Sequence, residues 1–367
     1  MLISARITGV KYTPFLCKAL KNFKIKELSK AIENNASFIL NIDGKQIALS
    51  WWVSAKRTRS YPFARVYDTL SFQGKRVTII PVMKDEGKDG DRDFLQWDTI
   101  SLMSLLGVYV IVGYYRAATK NTGYKNKITN QRFDYDYIKQ EIKKLLSYQS
   151  DALHWNLSQT DQVGNISKRA LSAYKRISKK VGVKMHSENS AKTRIGQLLK
   201  GKKQFMNLSR SLAKKAQKRE SVTIQPKERL NGIKAMITIK NYLGGHYYFT
   251  CDEAELHNKE LHLIEGKHTK MAEFPSLEDI KDGLLKMVLY TNLEDVKIEG
   301  QTFNPVPTLK LTTQKKVNIK SLEKAKPELI RLLKEEARKN NFEVTINDTV
   351  VDKGICFGLK KNLKTDR

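Results

Sequence analysis

The sequence predicts an α/β (α+β) fold, and three observations predict it. Apolar runs of strand length recur along the chain, for example at residues 37–42, 76–82 and 108–115. Stretches with helical apolar spacing, such as residues 137–148, lie between such runs. The chain of 367 residues is 40% hydrophobic, which is enough to bury the cores of two or three domains.

Changes in composition divide the chain into four predicted segments. They are an N-terminal α/β domain (1–150), a basic helical segment (151–230), a second α/β domain (231–310) and a C-terminal helix–strand extension (311–367). In the first segment, Asp43-Gly44 predicts the turn of a β-hairpin. In the last, Pro327 marks the start of a helix, because proline suits the first helical turn.

The strongest global feature is a net charge of +29, for which a polyanionic partner is the simplest explanation. Residues 168–229 contain nineteen Lys and Arg against three Glu. The positive charges of such a run repel one another, and binding to phosphates reduces this repulsion. We interpret it as short helices broken at Gly182, Gly196 and Gly201, forming either a module that straddles a duplex or an arm that orders on binding; a solvated linker is the alternative. The candidate contacts with nucleic acid are Lys175, Arg176, Lys179, Lys180, Lys202 and Lys203.

A second basic stretch lies beside the aromatic residues Trp51 and Trp52. Cations mixed with aromatic and hydroxyl side chains suit contacts to phosphates and bases, which makes Lys56, Arg57 and Arg59 further candidates for nucleic-acid binding. A solvated loop next to a pair of core tryptophans explains the same residues.

Several classes of protein are disfavoured by the sequence. The longest apolar run is strand-sized and no lipidation signal is present, so we expect no membrane association. Three distant cysteines indicate neither a disulfide framework nor a zinc site, and we expect a cytoplasmic protein. The phosphate-binding P-loop and the dinucleotide-binding glycine motif are both missing, which disfavours ATP-driven and nicotinamide chemistry.

The most informative stretch is residues 247–293. Asp252 follows an apolar run. Glu265, thirteen positions after Asp252, and Lys267 lie at the end of a second apolar run. If a turn near Asn258 joins two strands, Asp252 and Glu265 lie side by side and share a hard cation such as Mg²⁺, with Lys267 on the same face. Two carboxylates and a lysine are what metal-dependent phosphodiester hydrolysis requires, since the metal generates hydroxide and the ammonium stabilises negative charge.

A helix is predicted directly after this pair of strands. Ser276 is a suitable N-cap residue, with Asp279 three positions later as an approximate capping box. Ile280, Leu284 and Met287 then fall on one apolar side, while Lys281 points elsewhere.

The pattern D-x12-E-x-K at the end of an apolar strand, followed by a helix, resembles the PD-(D/E)XK nuclease superfamily, which includes many type II restriction endonucleases. The match covers roughly fifty residues, and Cys251 replaces the proline of the nominal motif. The resemblance implies a mixed sheet flanked by helices, with a catalytic domain in residues 231–310. It also implies that Asp252 and Glu265 are Mg²⁺ ligands and that Lys267 is the third catalytic residue.

The same resemblance implies site-specific hydrolysis of double-stranded DNA. A palindromic cut would require a homodimer, and a cognate DNA methyltransferase acting separately is the partner that a restriction system implies. Three alternatives remain open from the residues themselves: an exposed hairpin with solvated charges, a nucleic-acid-binding protein without hydrolysis, and an RNA-directed nuclease.

A second arrangement of the same kind occurs in the N-terminal segment. Asp68 is predicted to end a strand, Gln73-Gly74 to turn, and a strand to close on Lys84, before a helix at residues 93–106. Val82 stands where the second carboxylate would be, so ligands would have to come from the adjacent acidic loop. The residues of this second-choice site are Asp68, Lys84, Asp91, Asp93 and Gln96. They fit a degenerate copy of the nuclease core, an unrelated α/β domain with an acidic loop, or the true catalytic centre.

Overall fold

The computed structural model describes residues 1–55, 62–199, 233–241, 246–270, 272–314, 319–347 and 349–352, with scattered helical positions between 203 and 218. The strands are β1 (Leu2–Ile7), β2 (Asn22–Lys24), β3 (Ser37–Ile42), β4 (Lys45–Trp51), β5 (Lys75–Pro81), β6 (Met83–Asp85), β7 (Arg92–Phe94), β8 (Val108–Gly113), β9 (Tyr115–Lys120), β10 (Ile128–Phe133), β11 (Ile233–Asn241), β12 (His246–His257), β13 (Glu260–Thr269), β14 (Glu294–Ile298), β15 (Gln301–Thr302), β16 (Asn304–Thr313), β17 (Glu343–Ile346) and β18 (Thr349–Asp352).

The helices are α1 (Leu28–Asn34), α2 (Pro62–Tyr67), α3 (Trp97–Leu105), α4 (Tyr135–Ser147), α5 (Ala152–Val181), α6 (Glu188–Leu199), α7 (Leu277–Tyr290), α8 (Ile319–Ala325) and α9 (Pro327–Asn340). The described chain is therefore a mixed α/β structure, as predicted. In the described ranges, no helix is both long enough and apolar enough to cross a membrane.

The N-terminal half is built on a five-stranded mixed sheet in the order β2-β3-β4-β5-β8. Asp43 and Gly44 both adopt positive φ in the turn between the antiparallel strands β3 and β4, so the predicted hairpin is confirmed. β4, β5 and β8 run parallel, and their carboxyl ends therefore lie at one edge of the sheet.

Helix α5 covers β8, the outermost strand of this sheet. Asn156 accepts a hydrogen bond from Val110 N at 2.6 Å and donates one to Val108 O at 2.9 Å, while Trp155 donates to Val110 O at 2.8 Å. An edge strand left open would expose a row of unpaired backbone groups. The polar side chains of α5 satisfy these groups, so its first half belongs with the N-terminal sheet rather than with a separate basic segment beginning at residue 151.

The C-terminal half is built on a nine-stranded sheet in the order β15-β14-β1-β11-β12-β13-β16-β17-β18. β11, β12 and β13 form an antiparallel meander, and β16 lies parallel to β13 after the chain crosses over through α7. Two features differ from the predicted boundaries. β1 pairs with β11 and β14 instead of joining the N-terminal sheet, and the strands after residue 303 extend the same sheet.

The two halves meet at a buried polar junction around α2. Tyr67 donates to both carboxylate oxygens of Glu336 at 2.7 and 2.6 Å, and Tyr12 donates to the same carboxylate at 2.7 Å. Next to it, Lys281 Nζ of α7 lies 2.6 Å from Asp68 Oδ1. Burial raises the pKa of Glu336, and the hydrogen bonds from Tyr67 and Tyr12 oppose that rise. The junction fixes α2 and α9 against each other.

Three predicted elements are wrong. Residues 62–67 form a helix rather than the end of a strand, so the predicted hairpin around Gln73-Gly74 does not form. The helix predicted to begin at Asp93 begins at Trp97, because residues 92–94 pair with β6 as a strand. Gly196 lies inside α6 and does not break it, whereas Gly182 ends α5 in the left-handed conformation, as glycine at a C-cap commonly does.

Candidate active site

A β-bulge in β12 sets the position of Asp252. Ile233 pairs with Ala254, but Ala235 pairs with Cys251, so β12 has one residue more than β11 over this interval. A bulge of this kind redirects the side chains beside it and is frequent next to active sites. The carboxylate of Asp252 accepts a hydrogen bond from Gly266 N at 3.0 Å. It therefore lies against the backbone between Glu265 and Lys267.

Glu265 is the centre of the cluster. Its side chain is 1% exposed and lies 2.8 Å from Lys267 Nζ and 2.6 Å from Lys286 Nζ, with one carboxylate oxygen toward each lysine. Burial by itself would raise the pKa of Glu265. The two ammonium groups outweigh burial and lower this pKa to about 2. Glu265 is therefore ionised throughout the neutral range.

The lysines carry the complementary charge. Burial works against their protonated forms, but Glu265 and Asp282 raise the pKa of Lys267, and Glu265 and Asp252 raise that of Lys286. Asp282 of α7 lies 3.4 Å from Lys267 Nζ. Burial raises the pKa of Asp282, and the two lysines oppose that rise.

Helix α7 approaches the Lys267 side chain closely because residue 283 is a glycine. A Cβ atom at Gly283 would lie 2.7 Å from Leu309 Cδ1 and 3.3 Å from Lys267 Cε. Contacts below about 3 Å require a neighbour to move. Gly283 thus allows Asp282 and Lys286, on the same helix, to reach the strand that carries Glu265 and Lys267.

The floor of the cluster is neutral. Cys251 is fully buried, and burial raises the pKa of its thiol to about 12. The hydroxyl of Tyr290, also buried, lies beside this thiol, and burial raises its pKa as well. A neutral, poorly solvated floor strengthens the electrostatic interactions above it. Cys251 is not a nucleophile in this state, because the thiolate is the reactive form.

The donor set suits magnesium by residue type. In the described ranges, no group of three or more His, Cys, Asp or Glu side chains is placed to hold a metal ion by itself. Magnesium is usually bound by one or two carboxylates together with phosphate oxygens and water, and Asp252 and Glu265 are carboxylates on adjacent strands. Asp252, Glu265 and Asp282 with two ammonium groups give a formal charge of −1, which favours a cation in a protein of net charge +29.

The second-choice residues do not form a comparable cluster. Asp68 bonds to Lys281 and Lys18, and no described contact joins it to the other four. Lys84 lies 2.8 Å from Glu86, and Asp93 accepts a hydrogen bond from Ser54 Oγ at 2.7 Å. Asp91 is exposed between β6 and β7, and Gln96 is the N-cap residue of α3. The β6–β7 pairing is the reason, because it replaces the helical turn that would have brought Gln96 near Asp93.

The predicted nucleic-acid contacts fall into two groups. Lys175, Arg176, Lys179 and Lys180 are exposed on the second half of α5, and Lys203 is exposed on a helical position. Lys56, Arg57, Arg59 and Lys202 lie outside the described residues.

Sequence reasoning missed Lys286 and Asp282. The available signal was their spacing: Asp282 and Lys286 are four residues apart on the helix that follows the Glu265–Lys267 strand, so they share one helical face. No family model matches the chain, and neither a curated protein nor a solved structure is significantly similar to it.

Proposed function

We propose that the protein is a Mg²⁺-dependent endonuclease that hydrolyses phosphodiester bonds in double-stranded DNA at specific sites. The observation that carries this proposal is the cluster in which buried, ionised Glu265 lies between Lys267 and Lys286, next to Asp252 on the adjacent strand. Buried charges are energetically costly, and perturbed pKa values of this kind concentrate at functional sites.

The chain path around the cluster supports the same proposal. Asp252 lies on the second strand of the meander β11–β12–β13, and Glu265 and Lys267 lie on the third. The chain then passes through α7, β14 and β15 before the parallel strand β16. This order of strands and helix is compatible with the PD-(D/E)XK nucleases that the motif resembles.

Each residue has a distinct role in the proposed reaction. Asp252 and Glu265 hold the magnesium ion, which, when bound, supplies a hydroxide nucleophile and neutralises phosphate charge. Lys267 stabilises the negative charge that develops at the scissile phosphate. Lys286 keeps Glu265 ionised and fixed in position, and Asp282 orients Lys267.

The basic face of α5 supports a nucleic-acid substrate. Ala170, Ala173, Tyr174 and Ile177 are buried on one side of this half of the helix. The exposed cations of the opposite side are Lys168, Arg169, Lys175, Arg176, Lys179 and Lys180. Their separations of four and seven residues correspond to about 6 and 10 Å along the helix, so several phosphates can be contacted at once.

A palindromic double-strand cut needs two sites related by a two-fold axis, so we include a homodimer on DNA in the proposal. A cognate DNA methyltransferase acting separately would protect the same sites.

A nucleic-acid-binding protein without hydrolysis is the second candidate. The observation that favours it is that both oxygens of Glu265 already lie near ammonium groups. An ion that binds there has to share or displace one of these contacts. In a purely structural ion-pair cluster, both oxygens of the central carboxylate would also lie near ammonium groups.

Plasmid cleavage tests the proposal. Purified protein is incubated with supercoiled plasmid in Mg²⁺ or in EDTA, beside Glu265→Gln and Glu253→Gln. Glu253 is the matched control, because it is a fully buried glutamate paired with Lys310 at 3.2 Å on the same strand as Asp252. We expect defined cuts in Mg²⁺ from wild type and Glu253→Gln only. Tight binding without cutting would support the second candidate, and cutting confined to RNA of the same sequence would replace the DNA assignment.

A further inference from the structure

The hairpin of β9 and β10 has a composition unlike the rest of the N-terminal half. Residues 114–133 contain five cations and no Asp or Glu. The other polar side chains of this stretch are mainly threonine, asparagine and glutamine. This set can contact phosphates and base edges without repelling a polyanion, and the proposed function does not yet account for it.

The hairpin is held rigidly on its inner side. Phe133 stacks on Tyr115 with ring centroids 4.5 Å apart and contacts Trp51 edge to face. Gln131 accepts a hydrogen bond from Tyr174 of α5 at 2.6 Å and donates one to Asp85 O at 3.0 Å. These contacts fix the orientation of the ribbon.

The tip is anchored as well. Asn126 N donates to Asp89 Oδ2 at 2.8 Å, so this carboxylate is turned toward the backbone of the hairpin. Lys127 lies 3.5 Å from Glu86. Asp89 and Glu86 are therefore already paired with groups of the hairpin itself.

Three exposed side chains near the irregularity of the ribbon suit base recognition. Arg132 lies opposite Ala117, and Thr119 lies opposite Thr129, with a register shift between the two pairs. Asn130 stands at this irregularity with φ of 49° and donates to Thr119 Oγ1 at 3.3 Å. Thr119, Asn130 and Arg132 are all exposed. Arginine pairs with guanine, asparagine pairs with adenine, and threonine contacts either a base edge or the thymine methyl group.

The flanking positions suit phosphate contacts. Lys120 and Lys125 are exposed near the tip, and Arg116 is exposed near the root. Arg116 lies 3.7 Å from Asp134 and 3.6 Å from Asp136, so it is already partly neutralised. Lys120 and Lys125 are therefore the better candidates.

The hairpin also stands at the edge of the sheet where binding is expected. β9 continues from the carboxyl end of β8, and Tyr115 donates to Val53 O just beyond the end of β4 at 2.7 Å. Loops at the carboxyl ends of parallel strands are the usual binding edge of an open α/β sheet.

We infer that the β9–β10 ribbon lies in the major groove of duplex DNA, where the exposed Thr119, Asn130 and Arg132 select the base sequence and Lys120 and Lys125 contact flanking phosphates. The major groove accepts a two-stranded β-ribbon. The inference rests on the proposed function in naming duplex DNA as the substrate, but it concerns binding rather than hydrolysis.

The test is carried out without magnesium, so that it does not depend on cleavage. Full-length protein is bound to a duplex library with a randomised core, and bound molecules are sequenced. Arg132→Lys keeps the charge but loses bidentate geometry, and Asn130→Gly keeps the positive φ but loses the amide. We expect each variant to reduce wild-type base preference at one position by about tenfold or more, with little change in the salt dependence of binding.

The phosphate contacts are tested by salt titration on one fixed duplex. Lys120→Ala/Lys125→Ala should lower the slope of log affinity against log salt by about 0.9 for each phosphate that the variant no longer neutralises. Lys26→Ala/Lys30→Ala is the matched control, since it removes the same charge from exposed positions in and next to α1. The control should leave the slope close to that of wild type.

Base preference that survives in folded Arg132→Lys and Asn130→Gly would overturn the assignment of the ribbon, and so would wild type without base preference or with a preference for RNA. Thermal melting shows whether each variant is folded, and Arg132→Lys, a surface change, remains decisive if Asn130→Gly fails to fold. If magnesium-dependent plasmid cleavage fails, by contrast, the proposed function is contradicted, but the result on base preference is unaffected.

Discussion

Helix α7 carries two lysines that each lie 2.6 Å from a carboxylate, and the surroundings of the two pairs differ. Lys281 bonds to Asp68 of the N-terminal half, and the side chains are 1% and 5% exposed. Lys286 bonds to Glu265 of the C-terminal sheet, and its side chain is 18% exposed. Five residues along a helix correspond to a rotation of about 140°, so one helix reaches both the interdomain junction and the candidate site.

The difference shows what separates a structural ion pair from a candidate catalytic one. Asp68 also binds Lys18 through both backbone and side chain, so its charge is enclosed. Glu265 instead belongs to a group with a partly open rim, where Asp252, Lys267 and Asp282 keep some exposure. Distance alone does not separate the two pairs, whereas access to solvent and the number of neighbouring charges do.

The largest expected effect is on the cleavage rate. Glu265→Gln and Lys267→Ala should each reduce single-turnover cleavage by roughly a hundredfold or more, because a metal ligand or a transition-state charge is lost. Metal-free DNA binding should survive or tighten in Glu265→Gln, since a carboxylate that repels phosphate is removed, and should weaken slightly in Lys267→Ala. Filter binding and rapid-quench cleavage measure the two quantities.

The control for this experiment is Glu253→Gln, which disrupts a buried pair without touching the cluster. Its rate per folded molecule should equal that of wild type. If Glu253→Gln and Glu265→Gln reduce the cleavage rate by the same factor, the cluster is structural. Lys286 would then have the same kind of role as Lys281.

The next largest effect is on stability. Lys281→Met leaves the buried carboxylate of Asp68 without its closest partner, which should cost about 3–5 kcal/mol of unfolding free energy. Urea unfolding measures this loss, and cleavage per folded molecule should change little. The double variant Asp68→Leu/Lys281→Met should recover most of the stability, because removing both charges is often close to neutral. A double variant as unstable as the single one would contradict this account of the junction.

A smaller effect is expected on the pH dependence of stability. The pKa of Glu265 falls from an ordinary 4.5 to about 2 in the folded protein. The stabilisation from its ionised form is therefore complete above pH 4.5 and is lost as the pH falls from 4.5 toward 2. Urea unfolding across this range should show a steeper loss in wild type than in Glu265→Gln. Equal slopes would mean that the two lysines do not hold Glu265 ionised.

The smallest effect is expected from Gly283→Ala. The added methyl group would press on Leu309 and Lys267, while alanine favours the helix by about 1 kcal/mol over glycine. Stability should therefore change little, but the displaced Lys267 should slow cleavage by about tenfold. Gly196→Ala in α6 is the comparison, since it gives the same gain in helix propensity away from the cluster and a Cβ atom there would meet nothing within 4 Å. An unchanged rate in Gly283→Ala would show that the close approach of α7 is not needed for chemistry.

Local sequence patterns were sufficient to predict several elements of the C-terminal half. Ser276 caps α7 by accepting Asp279 N at 3.1 Å, and Ile280, Leu284 and Met287 are buried, as their spacing predicted. Helix α9 begins at Pro327 as predicted. These features depend on residues within one or two helical turns of each other, which is the range over which caps and periodicity act.

The remaining features depend on contacts between distant parts of the chain. Asp68 looked like a metal ligand by its spacing to Lys84, but its partner Lys281 is more than two hundred positions away. Residues 65–68 are predicted to end a strand, but residues 62–67 form a helix, and short apolar runs do not distinguish a strand from a buried helix. Lys286 was missed because a lysine on a helix is ordinarily solvated, and only the fold shows the carboxylate beneath it.

The position of β1 imposes an order of events during synthesis. Leu2 pairs with Met236, and Ser4 pairs with Lys297 on the other side. At about 5–20 residues per second, the ribosome makes β1 on the order of ten seconds or more before either partner strand exists. During that interval, the apolar side of β1, which includes Ile3 and Ala5, has neither of its partner strands. The edge β15-β14-β1 of the sheet that carries Asp252 and Glu265 therefore forms only after β14 has emerged.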